Sequence, residues 1–155
     1  MNELQISKKI ENHFGFLFDH GFRIRSVKYF PQHMGNWIAM LESQDCLIDI
    51  TSDRGEILLS FGSKNYETQD LMWFDINTVV FYLSNGQVII DKFEGQLMEK
   101  DKQFQRLANI LKTYLNQIIA IMGSDFEKHK TNLLQARKVL RDLYLERHKA
   151  SKNSF

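Results

Sequence analysis

The pattern of apolar and polar residues divides the chain into a helix, a group of strands and a helical end. Residues 3–20 place Ile6, Ile10 and Leu17 at helical spacing with polar residues opposite, which predicts an amphipathic helix ending at Gly21. Acidic residues lie within this helix and globular sequence follows it. We therefore expect it to pack on a core rather than on a membrane.

Four short β-rich runs follow, at Phe22–Phe30, Asn36–Ser43, Cys46–Ser52 and Glu56–Phe61. The breaks between them are short and rich in turn-forming residues. Connections of this length force neighbouring strands to run antiparallel, so the runs predict a β-meander. Its last turn is Asp53-Arg54-Gly55, in which Gly55 supplies the positive φ that a hairpin needs.

The alternation of apolar and polar residues within these strands is imperfect. Leu47 lies between Cys46 and Ile48, and Ile38 and Met40 lie opposite the apolar side of their own run. A sheet with one face in water would alternate more cleanly. We therefore expect the N-terminal helix to cover one face and later helices to cover part of the other.

A loop and a short helix come after the meander. Residues 62–73 are predominantly polar and predict a loop, whereas Phe74–Ser84 predicts a helix that Asp75 caps and Asn85-Gly86 ends. The next segment, Gln87 to Gly95, is ambiguous. Within it, Val88–Ile90 fits either a fifth strand or buried coil.

The last third of the chain has the clearest helical pattern. Apolar residues from Phe104 to Met122 recur in steps of four and three, and further apolar residues widen this stripe. Gly123 then predicts a break. A second helix runs to about His148, with Ser124 and Glu127 at capping-box spacing. An αα-hairpin results, and one uninterrupted helix is the alternative.

The predicted fold class is therefore α+β: an N-terminal helix, an antiparallel meander of about four strands, a short helix and a C-terminal helical hairpin. Residues 1–95 are expected to form the α+β core, and residues 96–150 the hairpin, which packs on that core or on a partner. Residues 151–155 are expected to be a disordered tail. The length of 155 residues fits one domain overall.

Composition adds limits on location and partners. With 43% hydrophobic and 25% charged residues, the chain is typical of globular proteins. The net charge of +1 gives no general attraction to nucleic acid, which is not expected as a partner. No signal-peptide pattern and no apolar run of about 18 residues occurs, so we expect a cytoplasmic protein without a membrane span.

The sequence assigns no catalytic residue, metal ligand or cofactor. Cys46 is the single cysteine, so neither an internal disulfide nor a cysteine zinc cluster can form, and its apolar neighbours predict a buried, inert thiol. The five histidines lack the spacing of helical zinc sites, and no nucleophile-elbow or phosphate-loop motif occurs. The basic stretch within residues 128–149 is interpreted as a solvated helix face.

Charged residues nevertheless gather around one hairpin, and these are the candidate partner-binding residues: Asp45, Asp49, Asp53, Arg54 and Glu56. Paired carboxylates bind divalent ions or act in acid–base catalysis. More often, such residues form turns and solvent-facing strand positions. Arg54 is expected to be exposed at the tip of the turn.

Five short motifs also resemble a known group of proteins. These motifs are Gly21-Phe22, Gly35-Asn36-Trp37, Leu41-Glu42-Ser43, Asp53-Arg54-Gly55-Glu56 and Trp73-Phe74-Asp75. Their order resembles small uncharacterised bacterial proteins, some of which look like immunity proteins of polymorphic toxin systems. The resemblance covers about residues 13–86 and implies a fold more than an activity, because the matched residues are turns, strand anchors and a helix cap.

Three hypotheses for function follow. The first is a non-enzymatic protein-binding module, in some respects immunity-like, that docks a partner protein. The second is a structural or assembly protein that forms a homodimer through the C-terminal helices, because the apolar stripe on residues 104–122 is broad. The third is a metal-dependent enzyme that uses the carboxylates near the Asp53 hairpin.

Overall fold

The computed structural model describes residues 1–91 and 94–153 and confirms the predicted α+β order. The helices and strands are α1 (Glu3–Phe14), α2 (Phe16–Asp19), β1 (Arg23–Phe30), β2 (Asn36–Glu42), β3 (Cys46–Asp53), β4 (Glu56–Ser63), β5 (Phe74–Asp75), α3 (Ile76–Leu83), α4 (Lys100–Met122) and α5 (Phe126–Asn153). Two short 3-10 helices lie at Lys64–Tyr66 and Glu94–Leu97.

The five strands form one antiparallel sheet in the order β1-β2-β3-β4-β5, which is the predicted meander with one additional strand. The fifth strand is Phe74–Asp75, which pairs with Phe61 and Ser60. Two residues are too few to show alternation, so the sequence assigned them to the following helix. Val88–Ile90 is not a strand, and its Ile90 side chain packs against the core.

One face of the sheet, here called the inner face, carries the core. Its cross-strand rows include Leu41–Ile48–Phe61 and Ala39–Ile50–Leu59, and all six side chains are buried. Helices α1 and α4 pack over this face. Phe104 of α4 stacks on Trp37 of β2 at 6.1 Å between ring centroids and on His13 of α1 at 4.7 Å. These contacts join the sheet and both helices in one core.

The apolar stripe of α4 packs within this core. Its members Phe104, Ala108, Leu111, Leu115, Ile118 and Met122 are all buried. The stripe therefore contributes to the folding of its own chain, and it is not an exposed seam.

The opposite face, here called the outer face, is covered at one end by the loop between β4 and β5. A methyl group added at Gly62 would lie 2.9 Å from Leu71 and 3.4 Å from the Trp73 ring, so the loop packs closely on the sheet at this glycine. The same end contains the buried Leu47. Partial cover was predicted, but the covering segment is this loop rather than a later helix.

The N-terminal helix is interrupted at Gly15, although the sequence predicts one helix over residues 3–20. A Cβ at this position would lie 2.6 Å from the carbonyl oxygen of Glu11, so the backbone approaches too closely for any side chain. Asn2 caps the start of α1, because its side chain accepts a hydrogen bond from the backbone N–H of Gln5. The Gln5 side chain in turn accepts a hydrogen bond from the backbone N–H of Asn2, which completes a capping box.

The predicted break at Gly123 is confirmed, and α5 packs mainly on α3. Helix α5 begins at Phe126, so Asp125 rather than Ser124 precedes it. The Glu127 carboxylate accepts a hydrogen bond from the Tyr66 hydroxyl. At its other end α5 continues through Asn153, into the segment predicted as a disordered tail, and residues 154 and 155 lie outside the described residues.

Candidate functional site

Two hairpin turns lie at the same end of the sheet. Residues 31–35 join β1 to β2, and residues 54–55 join β3 to β4. The register places Trp37, next to the first turn, opposite Ser52, next to the second. With strands about 4.8 Å apart, the two turns are separated by roughly 10 Å.

Local backbone chemistry fixes the turn between β3 and β4. Both central residues have positive φ, +48° at Arg54 and +87° at Gly55, as a type I′ turn requires. The side chain of Asn36, on the neighbouring strand, donates to the Asp53 carboxylate at 3.0 Å and accepts from the Arg54 backbone N–H at 2.9 Å. The sequence predicted this turn from Gly55 but did not reveal the contribution of Asn36.

The turn between β1 and β2 exposes a methionine. Met34 has a φ of +59° and is followed by Gly35 at +72°. A left-handed backbone at a residue with a side chain costs about 1–2 kcal/mol, and such conformations cluster at functional sites. The Met34 side chain is 80% exposed.

A third segment reaches the same end of the sheet from the connection before α4. Gln96 donates to the Glu56 carboxylate at 3.3 Å, and the carbonyl of Met98 accepts from Gln103, which also contacts Gly55. Leu97 lies between these two anchored residues. Its side chain is 92% exposed, although a leucine favours burial.

We give the name tip surface to five of the exposed residues at this end, which are the apolar Met34, Ile38, Leu58 and Leu97 together with Arg54 at the turn. Ile38 and Leu58 belong to the outer face, in the cross-strand row Lys28–Ile38–Thr51–Leu58, and both are exposed. Exposed apolar side chains on the turns and strands at one end of a sheet are candidates for a protein interaction site.

The structure brings together only some of the predicted partner-binding residues. Asp53 and Glu56 are direct cross-strand neighbours beside Arg54, and Arg54 contacts the Asp53 carboxylate at 3.3 Å. Asp49 lies on the outer face, four residues from Asp53. Asp45 lies at the opposite end of β3, roughly 26 Å from Asp53 along the strand.

The environment of Asp49 differs from that of the tip carboxylates. Burial raises the pKa of its carboxyl group, and a hydrogen bond of 2.6 Å from the Thr51 hydroxyl partly opposes this shift. The neighbours of Asp49 across the sheet are Met40 and Ser60, neither of which carries a charge.

These positions do not support a metal centre at the hairpin. Asp49 and Asp53 are roughly 13 Å apart along β3, whereas the oxygen ligands of a divalent ion lie within about 2.6 Å of it. In residues 1–91 and 94–153, no three His, Cys, Asp or Glu side chains are arranged to hold a metal ion. Cys46 is buried, and burial raises the pKa of its thiol to about 12.

The apolar members of the tip surface were not among the sequence candidates. Ile38 carried a usable signal, because it lies opposite the apolar side of its own strand. Leu58 has the same relation to Ile57 and Leu59, which are buried. The sequence around Met34 and Leu97 gave no indication that they would be exposed. Their exposure depends on how the β1–β2 turn and the segment before α4 are anchored.

No family model, curated protein or solved structure matches this chain. Within the part of the chain that the structure describes, no helix has the combined length and apolar character needed to cross a membrane.

Proposed function

We propose that the protein is a non-enzymatic binding module that docks a partner protein through the tip surface. The observation that carries this proposal is the exposure of Met34 and Leu97 on two separate connections at the same end of the sheet. In the folded chain both side chains leave their apolar surface in contact with water. Burial of such side chains against a partner would contribute about 1.5–3 kcal/mol each.

The charges around the tip surface indicate the chemistry of the partner. Asp53 and Glu56 lie beside the apolar residues, and Asp49 follows on the outer face. Among the described residues of the strands and turns at this end, the cations are Arg54 and Lys28, so the three carboxylates are in excess. A partner with an apolar centre and a basic rim would complement it, since complementary charge steers association and fixes orientation.

The resemblance to small immunity-like proteins agrees with this proposal, because such proteins act by docking another protein. In that form of the proposal the partner is a toxin and the location is the cytoplasm. A homodimer through the C-terminal helices has less support, because the α4 stripe that suggested it lies in the core. The metal-enzyme alternative has less support, because no three His, Cys, Asp or Glu side chains in the described part of the chain are arranged to hold a metal ion.

Affinity capture with paired variants tests the proposal. The double variant Met34→Asp with Leu97→Asp places charge on the tip surface, and Leu4→Asp is the matched control, because Leu4 is an exposed apolar residue on α1. We expect one stoichiometric protein to be retained by the wild type and by Leu4→Asp and lost by the double variant. Recovery of no such protein, or equal recovery by the double variant, would contradict the proposal.

A further inference from the structure

A groove of about 390 Å³ lies between α5 and the start of α3. One wall is formed by Arg137, Arg141 and His148 of α5, and the other by Asn77 and Thr78 of α3. The volume lies within the range of small-molecule sites in proteins. None of these residues belongs to the tip surface, so the groove is an independent feature.

The guanidinium group of Arg137 is held in place by its neighbours. It lies 5.1 Å from the centre of the Phe74 ring and donates to the Trp73 backbone carbonyl at 3.3 Å. A guanidinium has five N–H donors, so this hydrogen bond leaves others for a ligand. Arg137 is therefore oriented before any ligand arrives, which reduces the entropy cost of binding.

Arg141 lies one helical turn further along the same wall. Among the residues that the structure describes, it has no hydrogen bond or ion pair. Two like charges four residues apart on a helix repel each other. An anion between the two guanidinium groups would relieve this repulsion and accept hydrogen bonds from both.

The remaining lining residues suit an organic anion. Asn77 and Thr78 offer neutral polar groups, and Leu145 adds an apolar edge. The one carboxylate in the groove is Asp75, and it already accepts a hydrogen bond from the Thr78 backbone N–H at 2.9 Å as the cap of α3. With Arg137 and Arg141 opposite Asp75, the fixed charge of the groove is positive.

We propose that this groove binds a small organic molecule through a phosphate or carboxylate group placed between Arg137 and Arg141. Guanidinium groups bind both kinds of oxyanion in bidentate geometry. The apolar part of the ligand lies toward Leu145.

An NMR titration of the full chain tests this proposal, with inorganic phosphate, phenyl phosphate and benzoate as probes. We expect saturable shifts at residues 75–78 and 137–148. Phenyl phosphate and benzoate, which have an apolar part, should bind more tightly than inorganic phosphate. The relative affinity of these two shows which oxyanion the groove prefers.

Arg141→Gln should weaken binding by about tenfold, because it removes one charge-assisted contact. The matched control is Lys138→Gln, which removes one positive charge from the same helix outside the groove and should change the affinity by less than about twofold. Arg141 was chosen over Arg137 because Arg137 also contacts Phe74 and Trp73. Absence of saturable shifts at about 10 mM probe, or equal weakening by both variants, would overturn the proposal.

Discussion

The side-chain carbonyl of Gln103 accepts a hydrogen bond of 2.9 Å from the backbone N–H of Ile57, on the edge of β4. The amide group of the same side chain donates to the carbonyls of Gly55 at 2.8 Å and Met98 at 2.9 Å. Gln103 is 2% exposed. One buried residue of α4 thus joins the β3–β4 turn to the segment that carries Leu97, and so positions the tip surface.

Gln103→Ala should lower the free energy of unfolding by about 1–3 kcal/mol, because it leaves a buried N–H and carbonyls without partners. Gln105→Ala, at an exposed position of the same helix, is the control and should change it by less than about 0.5 kcal/mol. Urea unfolding measures both values. Equal stability of the two variants would show that water replaces the contacts of Gln103.

Arg54→Asn should stabilise the protein by about 0.5–1 kcal/mol, because asparagine adopts a positive φ more readily than arginine and Asn-Gly is favoured in type I′ turns. The exposed contact between Arg54 and Asp53 that is lost is worth little. Gly55→Ala should instead destabilise the protein by about 1 kcal/mol, because alanine adopts the positive φ of this position less readily than glycine. Thermal unfolding of the two variants checks the prediction, which fails if Arg54→Asn lowers the melting temperature.

The ionised Glu42 carboxylate should stabilise the folded protein, and this stabilisation should be lost in acid. The hydrogen bond from Arg23 and then the one from Lys64 lower the pKa of its carboxyl group below the ordinary value of 4.5. Because the folded pKa is depressed, this contribution to stability is present above pH 4.5 and is lost as the pH falls through the folded pKa. At neutral pH, Glu42→Gln should therefore have a lower free energy of unfolding than the wild type. In acid, this difference between the two proteins should disappear.

Denaturant unfolding across this pH range measures the effect, with Glu146→Gln at an exposed position of α5 as the control. At neutral pH the control should differ from the wild type by less than about 0.5 kcal/mol in its free energy of unfolding. A constant difference between Glu42→Gln and the wild type at all pH values would contradict an electrostatic role.

Ionisation of Asp49 should destabilise the folded protein, which is opposite to the effect of ionising Glu42. Burial raises the pKa of its carboxyl group above the ordinary value of 3.8, so its contribution to stability is present below that value and is lost as the pH rises through the folded pKa. Asp49→Asn keeps an acceptor for the Thr51 hydroxyl but cannot ionise. We expect this variant to gain stability relative to the wild type between pH 3.8 and neutrality, measured by the same unfolding curves. A relative loss over that range would refute the prediction.

The Cys46 thiol should not react with iodoacetamide in the folded protein. Burial, with a smaller effect of the nearby Asp45 charge, raises its pKa to about 12, and only the thiolate is reactive. Mass spectrometry should show modification that rises with the unfolded fraction in urea, and the fully unfolded chain is the positive control. Rapid labelling without denaturant would mean that β3 opens locally.

The local features of this fold could be predicted from the sequence, because short-range rules determine them. The Asp53-Arg54-Gly55 turn, the four main strands and the break at Gly123 depend on turn chemistry and on the repeat of apolar residues. The candidate site was predicted in part for the same reason. Asp53, Arg54 and Glu56 flank one turn, so they had to lie together.

The remaining features depend on contacts between distant parts of the chain. Phe74 and Asp75 form a strand only because β4 offers them an edge. Which face α4 covers, and therefore whether its stripe packs in the core or on a partner, is set by packing rather than by periodicity.

The sequence by itself thus determined the four main strands, the long helices and their order, and the tertiary structure decided which surfaces stay exposed. Apolar side chains at Met34 and Leu97 have the same chemistry as buried ones. Leu97 is exposed where Gln96 and Gln103 anchor its connection, and Met34 is exposed in a turn at which its own φ is positive. No local pattern encodes a hydrogen bond between residues 46 or 48 positions apart, such as those that Gln103 makes.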